Sequence, residues 1–110
     1  MLDSMAKRVC VFCGSHEGTR PAYAAAAREV GAALARRGLG VVFGGGRIGL
    51  MGAVADAALE AGGKVTGVIP RAMVDRELAH RGVTDLCIVN SMHERKALMA
   101  DLSDAFLALP

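Results

Sequence analysis

Residues 40–52 read Gly40-Val41-Val42-Phe43-Gly44-Gly45-Gly46-Arg47-Ile48-Gly49-Leu50-Met51-Gly52, and this stretch decides the fold. Gly40 to Phe43 is short, β-prone and apolar on both faces, as a strand in a helix-covered parallel sheet must be. Three glycines cut it off. From Gly49 to about Ala61 the apolar positions take helical spacing, with Met51, Val54 and Ala58 on one side and Asp56 and Glu60 on the other. Gly62-Gly63 ends that helix. Strand, tight turn and helix together make the repeating unit of an α/β sheet.

The same alternation extends outward in both directions. Arg8-Val9-Cys10-Val11-Phe12-Cys13 is a first apolar strand that breaks at Gly14-Ser15. Pro21 to Arg37 reads as a helix with Pro at its first turn and Gly38 just past its end. Its apolar stripe is Tyr23, Ala26, Ala27, Val30 and Leu34. Downstream, Lys64 to Ile69 is a strand stopped by Pro70, and 71–82 is weakly patterned, with room for one short helix. Thr84 to Val89 is a strand, Met92 to Ser103 a helix, and Ala105 to Leu109 a strand. The order β-α-β-α-β-(α)-β-α-β predicts an α/β domain over 1–110, a parallel sheet of about five strands with helices on both faces.

Composition removes several classes of function. The chain has 110 residues, 53% hydrophobic and 22% charged, which excludes a disordered tail. A net charge of +2 without a Lys/Arg cluster suits a small anion better than a duplex, so nucleic acid is not an expected partner. Aromatics at 4% leave no stacking platform for single strands. No apolar run approaches the roughly 18 residues of a membrane span, and the first residues do not read as a secretory signal. Cys10, Cys13 and Cys87 are an odd set in apolar runs, which points to reduced thiols and a cytoplasmic protein.

Ligands of open α/β sheets bind outside the carboxyl ends of the strands. Four such ends carry informative residues: Gly14-Ser15-His16, Gly44 to Gly49, Pro70-Arg71, and Asn90-Ser91 leading into Met92-His93-Glu94-Arg95-Lys96. Gly44, Gly46 and Gly49 match G-x-G-x-x-G, either a phosphate-approaching turn or a tight connection with no ligand. No acidic residue closes the following strand to hold a ribose diol, which disfavours a dinucleotide. Arg71 there suits a 2′-phosphate or simply solvent.

Arg95 carries most weight. It shares a helical stripe with Leu98, Met99 and Leu102, so its guanidinium points inward. A buried cation needs an anionic partner, either a bound phosphate or an internal carboxylate. Lys96, about 100° further round the helix, reaches the same ligand only at the rim. Cys10 and Cys13 point to opposite faces of a strand and read as structural thiols. No ligand set for a metal is grouped. His16 sits near a strand end, His80 and His93 have no distinctive spacing, and the methionines read as core fillers.

Cys13-Gly14-Ser15, the run Gly44 to Gly52, Val68-Ile69-Pro70, Arg76-Glu77-Leu78, Met92 to Lys96, and Ser103 to Pro110 together resemble the Lonely Guy (LOG) family. Its members are cytokinin riboside 5′-monophosphate phosphoribohydrolases, often mislabelled as lysine decarboxylases. The resemblance implies a Rossmann-like, usually dimeric protein. Such a protein hydrolyses the N-glycosidic bond of an N6-modified AMP without metal or pyridoxal phosphate. It implies Arg95 as the catalytic arginine, Lys96 and Glu77 as substrate contacts, and the Gly44-Gly45-Gly46 turn on the phosphate side. Gly14 and Ser15 complete the expected set. The family's second signature, P-G-G-x-G-T-x-x-E, with its catalytic glutamate, should begin at Pro110. The 110 residues alone are therefore expected to be truncated and inactive or severely crippled. The competing expectations are a nucleotide- or phosphate-binding module without chemistry and, less favoured, an NAD(P) oxidoreductase.

Overall fold

A computed structural model describes residues 7–14, 20–76 and 78–109. The elements run β1 (Arg8–Phe12), α1 (Pro21–Arg36), β2 (Gly40–Phe43), α2 (Gly49–Glu60), β3 (Val65–Pro70), α3 (Arg71–Asp75), β4 (Asp85–Val89), α4 (Met92–Leu102) and β5 (Ala105–Ala108). They form one parallel sheet of order β4-β3-β2-β1-β5. The chain walks outward from β1 to β4 and then returns past β1 to lay down β5. Right-handed crossovers put helices on opposite faces when the direction of travel reverses. This is why α1, α2 and α3 lie on one face and α4 on the other.

The strand residues divide accordingly. Val11, Val41, Phe43 and Val65 pack with Ala27 of α1 and with Leu50, Val54 and Ala58 of α2. Cys10, Val42 and Val68, one residue out of phase, pack with Met99 of α4. Ile69, Val74 and Ala79 make a smaller cluster beneath α3. Strands apolar on both faces are thus buried on both, as their composition requires.

Two expectations need correction. Tyr23 and Ala26 do not face the core: α1 buries Ala27 and Gly31, while Tyr23 is exposed with the Arg20 guanidinium 5.9 Å from its ring centroid. β3 runs through Pro70 instead of stopping before it, because in this ladder Pro70 sits opposite Val89 at the last register position. The expected helices on both faces of the sheet are present, while the four residues of the edge strand β5 are exposed. There Phe106 stacks on Phe12, centroids 6.1 Å apart.

The reversal of strand order falls between β1 and β5. Ligands of open α/β sheets bind at the carboxyl ends of the strands, beside such a switch point. No helix among the described residues is long and apolar enough to cross a membrane.

Candidate functional site

Arg95 projects from the first turn of α4 toward Gly44, just past β2, and Val68 of β3. That turn is set locally: Ser91 Oγ accepts from the Glu94 N–H at 3.1 Å, and Glu94 Oε2 accepts from the Asn90 N–H at 3.0 Å. Together these bonds satisfy amide groups around the helix start and fix the helix entry. The sequence signal is Ser91-x-x-Glu94.

The guanidinium is 7% exposed, the one charged side chain buried among the described residues. Its Nε donates to the Val68 carbonyl at 3.0 Å and its Nη2 to the Gly44 carbonyl, while Nη1 lies 3.6 Å from Met92 Sδ. Gly44 and Val68 are neighbours across the β2–β3 ladder, one step past the Phe43–Gly67 pair. The planar fork therefore spans the end of β2 and the middle of the adjacent β3, a geometry that an ammonium lacks. Burial pushes the guanidinium below its ordinary value, yet it remains a cation. Among the described residues no carboxylate, the internal partner weighed from sequence, bonds to Arg95. Two neutral carbonyls take that place and leave a net positive charge in a dry setting.

That charge faces a cavity of about 190 Å³ lined by Val11, Phe12, Cys13, Gly44, Met51, Met92, Arg95, Lys96 and Met99. Its wall is almost wholly apolar. A small pocket of thioethers and an aromatic edge around one cation suits an anion carrying an apolar or planar group.

The glycine turn borders the cavity. A Cβ on Gly44 would lie 2.6 Å from Met51 Cε and 2.8 Å from Arg95 Nη2. Gly45 has φ 79° and a Cβ there would meet Ile69 Cβ at 2.9 Å. Only glycine allows this path past β3. Gly14 joins the group through its carbonyl, which accepts from the Met51 N–H at 3.0 Å at the start of α2.

Of the expected site residues, Gly14, Gly44, Arg95 and Lys96 are thus gathered at one rim, with Lys96 exposed at its edge. Gly45 and Gly46 are buried behind Gly44 and do not line the cavity. Ser15, His16, Glu77 and Pro110 lie outside the described residues. Arg71 is exposed and is not part of the cavity wall. Met51, Met92 and Met99 are more than core fillers, since all three line the cavity. Two of them stand inside the motifs Gly44–Gly52 and Met92–Lys96, a placement that marks them. All three cysteines are free. Burial, with the nearby Cys10 charge adding to it, pushes the Cys13 thiol up to about 11, which removes it as a nucleophile near neutrality.

A family model described as a possible lysine decarboxylase matches residues 51–110, more than half of the sequence. The chain belongs to that family. Among its relatives, a cytokinin riboside 5′-monophosphate phosphoribohydrolase of Rhodococcoides fascians is 52% identical over 105 residues, covering 94% of this chain and 53% of that protein. The enzyme of the same name, LOG5, from Arabidopsis thaliana is 50% identical over 110 residues, covering 100% and 48%. The chain spans about half the length of these relatives. A solved molybdenum cofactor carrier protein of Chlamydomonas reinhardtii superposes with a TM-score of 0.81 at 23% identity, covering 94% of this chain and 62% of that one. This last likeness shows that the family member shares the fold.

Proposed function

We propose that the protein is a nucleoside 5′-monophosphate phosphoribohydrolase, acting on N6-modified AMP and releasing the free base and ribose 5-phosphate. The observation that carries this reading is Arg95, a buried cation held, among the described residues, by neutral acceptors beside the glycine turn and lining a largely apolar cavity. The curated relatives at about 50% identity point to the same chemistry.

In this reaction the C1′–N9 bond breaks, the oxygen of water bonds to C1′, and a proton ends on the leaving purine. Positive charge grows on the sugar while negative charge grows on the base. Arg95, desolvated and rigidly forked, either anchors the phosphate or keeps a neighbouring carboxylate ionised. Lys96 adds charge at the rim. Gly44 lets the backbone approach the ligand closely, and the methionine wall receives its apolar part.

The carboxylate that stabilises the sugar cation is assigned by the family resemblance to the P-G-G-x-G-T-x-x-E segment. The same reading carries a homodimer and a cytoplasmic setting, for which the free thiols speak. The test is incubation of the 110-residue chain, and of a version extended through that signature, with isopentenyl-AMP and AMP. Free base and ribose 5-phosphate from the extended protein support the proposal. Tight nucleotide binding without base release makes it a holding module instead.

A further inference from the structure

His80 does more than occupy the segment between α3 and β4. Its backbone N–H donates to the Gly45 carbonyl at 2.8 Å, and the Arg47 N–H donates to the Leu78 carbonyl at 3.0 Å. These bonds flank an isolated antiparallel bridge between Gly46 and Ala79. In such a pair the two facing residues turn their own N–H and C=O groups away from each other. The 78–80 segment therefore grips the turn through Gly45 and Arg47 while directing the Gly46 amide to the opposite side.

The His80 ring closes the arrangement. Its Nδ1 accepts from the Gly82 N–H at 3.1 Å, so the neutral ring carries its proton on Nε2. Nε2 then donates to Asp56 Oδ1 at 2.6 Å. Asp56 belongs to α2, the helix that begins three residues after Gly46. The His80 side chain is only 13% exposed, which shields the pair from solvent on one side. Turn, helix and 78–80 segment are thus joined in a closed triangle, with Asp56–His80 as a side-chain link.

We propose that Asp56 and His80 are positioning residues: they latch the 78–80 segment to α2 and so hold the glycine turn in the shape that receives the phosphate. Their importance to binding rests on the nucleotide reading above. Nothing in the spacing of His80 announces this role, because it arises from a contact 24 positions away.

The experiment uses the protein from the base-release assay and its H80A, D56A and H80Q variants, Gln keeping an N–H near the Nε2 position. Amide hydrogen exchange at Arg47 and His80 is followed alongside AMP affinity and the thermal midpoint. The latch predicts roughly tenfold faster exchange at those two amides in H80A and D56A, with amides of β1 and β2 unchanged. AMP binding weakens about tenfold, and H80Q recovers most of both effects. Unchanged exchange, or unchanged affinity despite faster exchange, overturns the proposal. Global unfolding of H80A and D56A with H80Q no better also overturns it. If the unaltered protein does not bind AMP, the nucleotide reading fails, and exchange alone then decides whether the latch exists.

Discussion

Arg95 and Gly44 share both a hydrogen bond and a volume: Nη2 donates to the Gly44 carbonyl, and that same nitrogen lies 2.8 Å from where a Gly44 Cβ would stand. The bond demands close approach and the absent side chain permits it. Each residue is therefore a condition for the other, and the catalytic assignment of one implies a constraint on the other.

Gly44→Ala puts a methyl group where Met51 Cε and Arg95 Nη2 now sit. Both atoms end flexible side chains, so the fold survives with a loss of about 1–3 kcal/mol. The fork must swing off its carbonyl to make room. Nucleotide binding should fall by more than the stability loss predicts, which a urea melt and calorimetric titration with AMP would separate.

Arg95→Met removes the charge and leaves the Gly44 and Val68 carbonyls without their donor, at about 1–3 kcal/mol for each unpaired group. Arg95→Lys keeps a cation but not the fork, so it should be the more stable of the two. Base release by the extended protein should drop at least about 100-fold in both variants. A Lys variant retaining most of the activity would mean that charge alone suffices.

The strands, the longer helices and the parallel topology were legible because the strands are largely apolar and the longer helices periodic, both local signals, whereas α3 falls in the weakly patterned 71–82. Arg95 was legible for the same reason, as a charge at an apolar phase of its helix. Its partners were not, since two backbone carbonyls from adjacent strands leave no trace in residue identity. The methionine wall was hidden by the resemblance of a pocket lining to a core. Tyr23 misled because an aromatic at the start of a helix keeps its apolar phase whether or not a neighbour lies opposite.

Gly45→Ala and Gly38→Ala separate backbone strain from crowding. Gly38 has φ 75° with nothing within 4 Å of an added Cβ, so the cost is left-handed strain of about 1–2 kcal/mol. Gly45 has nearly the same φ but a Cβ would strike Ile69, which adds about 1–3 kcal/mol. Urea midpoints should therefore rank Gly45→Ala well below Gly38→Ala. Only the former should also weaken AMP binding. Equal midpoints would show that the turn relaxes away from β3.

The Cys13 thiol ties stability to alkaline pH. Its folded value is raised from 9.0 to about 11 by burial, with the Cys10 charge adding to it. Below 9 the thiol is protonated in both states and the folded form keeps its full advantage. As pH rises from 9 toward 11, the unfolded chain loses the proton first and is favoured, so stability falls through that window. Burial also raises Cys10, opposed by a hydrogen bond with Ser103, and so works in the same direction. Urea midpoints at pH 7.5, 9 and 10.5 should decline in the unaltered chain and decline less in Cys13→Ala. Parallel lines would mean that the thiol is solvated. At pH 8 the half-buried Cys13 thiol should react with iodoacetamide more slowly than free cysteine, because less of it is thiolate.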